Sequence, residues 1–557
     1  MADWRSIAAK KKAEQEALIP KEWKLDPVPP TNELDVSRIP ETCGLLDATE
    51  VEITNSDVSV LLDKLAKGHW TSVSVTKAFY KRAIIAHQLT NCLTEIFIEK
   101  ALSRAAELDE HLKTKGTVVG PLHGLPVSLK DQINIKGLEA CMGYVSWVGR
   151  YAERNAVLTD ILEDAGAVPF VKTNIPQTLM WPETFNHVFG RAFNPYNRSL
   201  TCGGSSGGEG ALVAMRGSPL GVGSDIGGSV RIPAAFCGTY GLRPSYGRVP
   251  YAGCVNSMEG QDSVPSVLGP LSNSLSGIKT FMKAVIDARP WLKDPLAVRK
   301  RWSDDEYNLA DHGGGKQMCF AILWEDGIVR PHPPIIRGLE MVKKALLDAG
   351  HHVVDWKAQR HGEIYSTLRD IWASGAEEDF ITAATPTGEP VIQSMSLDGE
   401  IPVEGGFDRS GTPISAYQLW QLHKKKRDLR EEYLQLWEDT VKETGTGRAV
   451  DAIISPVAPY AAVGHGKNKF ANYTMIWNLL DYSALVIPVS KVDPKLDPIK
   501  APHVFHNEQD KTVYELYKPE DFANAPISVQ LIGRTLEEEA VIAMGEIVDA
   551  ALKASTQ

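Results

Sequence analysis

The sequence predicts an α/β protein with a large mixed, twisted sheet covered by helices on both faces. Three observations carry that prediction. First, the order helix, glycine stop, strand occurs twice. It runs through Val157 to Ala165, Gly166 and Ala167 to Val171, and again through Met341 to Ala349, Gly350 and His352 to Trp356. Such alternation places helices against a sheet. Second, Asp451 to Ser455, Leu485 to Val489 and Ser528 to Ile532 read as core strands. Third, no repeat and no shift in composition divides the chain of 557 residues into independent folds.

The elements follow in order. Residues 1–55 read as a peripheral N-terminal extension and 56–557 as the main domain. The extension has a short charged helix containing Lys10 to Glu16 and a proline-rich stretch from Pro27 to Pro40. Its expected role is to wrap the body or to mediate self-association. Residues 56–113 read as consecutive helices, with Val58, Leu61, Leu62 and Leu65 at helical spacing. Leu125 to Lys130 is a short apolar strand. Residues 385–412, rich in Pro, Gly, Thr and Ser, read as a surface excursion. Residues 415–440 form a long charged helix, and Leu536 to Leu552 the closing one.

Composition excludes several classes. Hydrophobic residues are 43% and charged residues 23%, the balance of a globular protein. A net charge of −11 argues against a broad basic face for nucleic acid. The run Lys424 to Arg427 is interleaved with Leu422, Leu429, Tyr433 and Leu436, the pattern of a solvated helix face. Seven cysteines with no C-x-x-C pair fit a reducing compartment. No apolar run reaches the ~18 residues of a membrane span, and no targeting signal is recognisable, so a cytoplasmic protein is expected. No metal-ligand spacing occurs; His351-His352 is an isolated pair.

The chemistry concentrates in three places. Gly203 to Gly210 reads Gly-Gly-Ser-Ser-Gly-Gly-Glu-Gly and leads directly into the helical run Ala211 to Met215. That context argues against a flexible linker. Ser206 and Glu209 have the spacing of a capping box at its start, which leaves Ser205 free to point elsewhere. The segment lacks the ending of a phosphate loop. It satisfies the G-x-S-x-G pattern of a nucleophile elbow, but a loop precedes it where that elbow needs a strand. Cys202 reads as a small buried thiol or, alternatively, a nucleophile. The second place is Gly221 to Ser229. Its paired glycines let backbone amides converge before Ser229, either as an oxyanion hole or as a tight turn with a capping serine. The third is Lys130, a surface residue or, with its pKa lowered by burial, a base. It shares a strand face with Ser128.

Lys130, Gly203 to Gly208 and Asp225-Ile226-Gly227-Gly228-Ser229-Val230-Arg231-Ile232-Pro233 together resemble the amidase signature family. Ser205 and Ser229, 24 positions apart, match its serine pair. The resemblance runs from about Leu61 to Leu552 and includes Thr173 to Gln177, Phe193 to Pro195, Gly241 to Pro244 and Pro526 to Gly533. It is nearest in look to the fungal acetamidase-like branch and its fatty acid amide hydrolase relatives. It implies amide hydrolysis without a cofactor or metal. Ser229 would be the nucleophile, Ser205, after a cis peptide bond, the proton relay, and Lys130 the base. Backbone amides of Ile226, Gly227, Gly228 and Ser229 would hold the oxyanion. Asp225 and Arg231 would brace the loop, and Ser206 would cap the helix and support Lys130. Leu179, Met180, Trp181 and Trp477 would line an acyl pocket for a small to medium apolar or aromatic amide. The family habit is a homodimer. An amidotransferase or amide-forming acyltransferase on the same scaffold, a catalytically silent binding protein, and an α/β-hydrolase with an essential histidine are the alternatives.

Overall fold

Among the described residues thirteen strands form, in chain order: β1 (Leu93–Ile96), β2 (Pro126–Lys130), β3 (Val168–Thr173), β4 (Phe185–Asn186), β5 (Gly190–Arg191), β6 (Leu220–Asp225), β7 (Tyr240–Arg243), β8 (Val267–Ser272), β9 (Cys319–Ile322), β10 (His352–Asp355), β11 (Ala452–Pro456), β12 (Ala484–Lys491) and β13 (Pro526–Ile532). They are described from a computed structural model, which covers residues 3–396 and 414–555. Eleven of them make one sheet in the order β1-β3-β2-β6-β8-β7-β12-β13-β11-β9-β10, and β4 and β5 form a separate ribbon. The sheet is mixed. β3, β2 and β6 run parallel, as do β11, β9 and β10. The strands between them pair antiparallel.

Strand side chains alternate between faces. On β9, Phe320 and Ile322 join the largest apolar cluster, whereas Cys319 and Ala321 join a second. On β12, Leu485 and Ile487 join the first, Ala484 the second and Val486 a third. Both faces are therefore covered. The helix Pro333–Asp348 and the closing helix Glu538–Ser555 supply Leu339, Val342, Val541 and Met544 to the first cluster.

The helical run expected over 56–113 is interrupted. The helix Ser72–Thr90 stops at Asn91, which adopts φ 52° and ψ 44°. Few residues other than glycine accept that left-handed geometry as readily as asparagine. The chain then pairs as β1 on the edge of the sheet before the helix Ile98–Lys115. The N-terminal helix Trp4–Ala17 lies against the same edge. Lys11 Nζ sits 2.6 Å from Glu95 and 3.2 Å from Glu139. Gln15 Nε2 donates to the carbonyls of Leu93 (2.8 Å) and Thr94 (2.9 Å).

Of the surface excursion expected over 385–412, residues 397–412 lie outside the described residues. The part before them is partly surface, with Thr385, Pro386, Gly388, Pro390 and Gln393 exposed, but it is anchored from within. Glu389, Ile392, Ser394 and Met395 are buried. Its polar groups are satisfied internally: Glu389 accepts from Val145 N and from Gln177 Nε2, both at 2.6 Å, and Gln177 Oε1 accepts from Ile392 N at 2.7 Å. Among the described residues, no helix is long and apolar enough to cross a membrane.

Candidate active site

Lys130 ends β2, between β3 and β6. Alternation sends Val127 and Leu129 into the main apolar cluster and turns Ser128 and Lys130 toward the helix Gly207–Ala214. Lys130 has no exposed surface. Its Nζ donates to Ser205 Oγ at 2.6 Å and to Ser224 Oγ at 2.8 Å. Ser224 Oγ in turn donates to Gln132 Oε1 at 2.5 Å. Burial pushes the lysine pKa down to about 7, against the opposing pull of Asp225 and Glu209. A lysine held at that value exchanges protons at neutral pH.

The glycine-rich loop is pinned rather than free. A Cβ on Gly204 would lie 2.4 Å from the Glu183 carbonyl oxygen, and one on Gly208 would lie 2.3 Å from Asn174 N. Only glycine fits such close backbone approach. The Gly204–Ser205 peptide is cis. The capping box expected from Ser206 and Glu209 does not form. Ser206 Oγ instead accepts from Ser224 N and donates to Ser224 O, both at 3.2 Å. Glu209 turns inward, its Oε2 2.6 Å from Ser128 Oγ and its Oε1 accepting from Thr173 Oγ1 (2.8 Å). Ser206 thus fixes the backbone of Ser224, whose side chain holds Lys130, and does not touch the lysine itself.

Beyond β6 the chain turns through Ile226 to Val230 into the helix Arg231–Phe236. Asp225 organises this turn. It accepts from the amides of Gly228 (2.8 Å) and Val230 (3.2 Å), from Asn478 Nδ2 (2.8 Å), and from Arg231 Nε (3.1 Å) and Nη2 (3.0 Å). Burial alone would raise this carboxyl. The Arg231 charge, with the hydrogen bonds from Arg231 and Asn478, outweighs it and holds Asp225 well below the usual carboxylate range. Gly228 has φ 130°, and a Cβ there would lie 2.3 Å from Thr474 Oγ1. The amide of Gly228 is already bonded to Asp225, so it is not available to an oxyanion as expected. The amides of Ile226, Gly227 and Ser229 make no hydrogen bond among the described residues.

Ser229, Gly204, Ile226 and Gly227 open onto a cavity of about 400 Å³. Its walls include Leu179, Met180, Trp181, Ile232, Trp372 and Met475, with Met395 from the segment before the undescribed residues.

The sequence matches the family model described as Amidase over residues 74–542. The chain belongs to the Amidase family. It is 43% identical over 550 residues to an acetamidase of Aspergillus oryzae, covering 98% of each chain. An acetamidase of Emericella nidulans is 42% identical over 550 residues, covering 98% of this chain and 97% of the relative. The solved structure of a fatty acid amide hydrolase superposes with a TM-score of 0.90 at 32% identity, covering 98% of this chain and 95% of that one. The protein is an amide-hydrolysing enzyme with the amidase signature fold.

In this amidase the structure brings together Lys130, Ser205, Asp225 and Arg231, with Ser229 at the cavity. Leu179, Met180 and Trp181 line that cavity, and Trp477 does not. Trp477 is fully buried among Tyr433, His361 and Tyr482, with ring centroids 6.0–6.3 Å apart. Positions two apart on a helix point to different sides, and in the helix Asn472–Leu480 it is Met475 that faces the cavity. Sequence reasoning missed Gln132 and Ser224, which complete the lysine's surroundings. The two-residue spacing of Gln132 from Lys130 was the available signal. It also missed Thr474, Asn478 and Trp372, remote in the chain and without a local signature. Thr474 Oγ1 donates to Gly227 O at 2.7 Å, and its carbonyl accepts from Arg231 Nη1 at 3.0 Å.

Proposed function

We propose that this amidase hydrolyses small to medium apolar or aromatic carboxylic acid amides to the acid and ammonia or amine through a Ser229–Ser205–Lys130 relay. The observation that carries this reading is the 2.6 Å hydrogen bond between Lys130 and Ser205 in a fully buried site beside the cavity that Ser229 faces. Lys130 accepts the Ser205 proton through its neutral amine. Ser205 takes the proton of Ser229, and Ser229 Oγ bonds to the amide carbon. The oxyanion takes hydrogen bonds from the unoccupied amides of Ile226, Gly227 and Ser229. The proton then returns through Ser205 to the leaving nitrogen, the C–N bond breaks, and an acyl-Ser229 ester remains. Water, deprotonated through the same relay, releases the acid and restores Ser229.

Asp225 and Arg231 hold the Ser229 turn in place and carry no proton in this scheme. The cavity lining is mostly apolar, with Glu183, Arg369 and Lys469 also at it, and favours an apolar acyl group. No step calls for a cofactor or metal. Residues 56–557 form the catalytic domain, and residues 1–55 an extension closed onto it. A cytoplasmic enzyme, a homodimer in the family habit, fits this chemistry.

The test is ammonia or amine release from short aliphatic, aromatic and long-chain primary amides, with wild type and Ser229→Ala side by side. Turnover by wild type that is lost in the variant supports the assignment. Turnover that survives in the variant removes Ser229 as nucleophile.

A further inference from the structure

One fully buried acid has no part in this scheme. Glu209 lies in the first turn of the helix Gly207–Ala214, without exposed surface. It reaches between three strands. Thr173 Oγ1 on β3 donates to Oε1 at 2.8 Å, and Ser128 Oγ on β2 lies 2.6 Å from Oε2. On β6, a Cβ at Gly221 would lie 2.1 Å from Oε2, so the acid occupies the space a side chain there would need. Ser128 Oγ also lies 2.9 Å from Ser218 Oγ, whose hydroxyl donates to Leu220 O at 2.9 Å.

The protons of this chain can be counted, because each serine hydroxyl carries one. Ser218 gives its proton to Leu220 O. Ser128 has one proton for two neighbours. If Oε2 is protonated, Glu209 donates to Ser128, Ser128 to Ser218, and every contact holds a proton. If Glu209 is a carboxylate, Ser128 must donate to it, and the 2.9 Å contact with Ser218 holds none. The anion would then rest on two neutral hydroxyls, its hydrogen bonds including none to a cation. A buried charge without a partner is costly. Asp225 shows the contrast, with five donors, two of them from a guanidinium.

We propose that Glu209 is a neutral carboxylic acid and a positioning residue, tying β2 to β3 beneath Lys130 without placing a negative charge beside its amine. Burial pushes its carboxyl up to about 8, in accord with that state. The titratable groups facing it are few. Lys130 looks in from β2, itself faced by Asp225 from β6. The thiol of Cys92, ahead of β1, is pushed up to about 12 by burial and is neutral. A charged Glu209 would hold the proton on Lys130 and oppose its use as base. The inference rests on the reading of Lys130 as base.

The test is kcat/KM against pH for a primary amide that the wild type turns over. In Glu209→Gln the carbonyl accepts from Thr173 and the amide donates to Ser128, copying the neutral acid. The acid limb is expected to keep the wild-type midpoint. Glu209→Ala is expected to lower kcat about tenfold or more at every pH while KM stays within about threefold, the mark of a displaced base. A midpoint that drops by about one unit in Glu209→Gln, about tenfold more activity at low pH relative to the plateau, shows that a charge was removed and overturns the proposal. Wild-type kcat in Glu209→Ala overturns the positioning role. Should Glu209→Gln not fold, Thr173→Val reads the same quantity. It takes one of two donors from a carboxylate, displacing the midpoint in either direction, and leaves the limb of a neutral acid in place. A wild type with no acid limb refutes the lysine base itself, whereas a limb displaced only in the variants refutes the role of Glu209.

Discussion

Asp225→Asn removes one charge from the centre of the site and leaves its volume unchanged. In the wild type the Asp225 carboxylate pairs with Arg231, and neither side chain is exposed. The substitution leaves the guanidinium with neutral acceptors only: Thr474 O, Gln530 Oε1 and Asn478 Oδ1. Removing one partner of a buried pair costs about 3–5 kcal/mol. At about 2.1 cal/mol/K per residue, unfolding 557 residues carries about 1.2 kcal/mol/K of entropy, so Tm is expected to fall by about 3–4 °C. The same carboxylate holds the amides of Gly228 and Val230, on either side of Ser229. A displacement of about 1 Å at a reacting atom costs about 10²-fold, so kcat is expected to fall by about that factor. Scanning calorimetry and steady-state ammonia release measure the two effects separately. In Asp225→Asn/Arg231→Met the stranded charge is gone, and part of the Tm returns while kcat stays low. An Asp225→Asn protein with wild-type kcat refutes the claim that this carboxylate sets the nucleophile turn. Unchanged Tm refutes the pair as a source of stability.

The pH profile follows from Lys130. Its amine must be neutral to accept a proton, so kcat/KM is expected to rise through a midpoint at about pH 7. Lys130→Arg remains protonated throughout and is expected to lose turnover at every pH, checked on the same substrate. The two tryptophans behave differently. Trp477→Ala is expected to cost about 3–5 kcal/mol of stability, read by calorimetry, and to leave the ranking of amide substrates as it is. Trp372→Ala enlarges the cavity that Ser229 faces and is expected to shift kcat/KM toward bulkier acyl groups. A change of ranking in Trp477→Ala, or none in Trp372→Ala, contradicts the cavity described here.

Part of the sheet was legible from short apolar runs, although the wholly apolar β9 (Cys319–Ile322) was not. Leu485 to Val489 and Ser528 to Ile532 lie in strands, as does the Leu125 to Lys130 run from Pro126 onward. What escaped was set by tertiary pairing. β1 is four residues long, and its sequence Leu-Thr-Glu-Ile continues a helical stretch until Asn91 turns it. β8 contains Gly269 and Pro270, both poor strand residues. It forms because β6 and β7 flank it, and a Cβ on Gly269 would lie 2.1 Å from Leu242 O. The strap through Glu389 and Met395 has the composition of a loop. Gln177 and Val145, more than 200 positions away, supply its polar partners.

The site divides along a similar line. Residues that act through local backbone, Ser205, Ser229 and the glycines around them, announce themselves by spacing. Residues that act through electrostatics do not, because burial decides their charge. Three ionisable groups lie close together here, and each is steered differently. Lys130 is shut away from water among hydroxyls and is free to lose its proton. Asp225 is given Arg231 and keeps its charge. Glu209 is given only hydroxyls. The short sequence Ser-Ser-Gly-Gly-Glu suggests a helix cap, and in isolation that is the favoured reading. The fold overrides it because Gly221 leaves room for the carboxyl beneath β2, and because Ser206 is needed at the backbone of Ser224. In the proposed scheme, a base with its pKa near neutrality therefore depends on where the anions are placed: Asp225 neutralised by arginine on one side of Lys130, and an acid kept uncharged on the other.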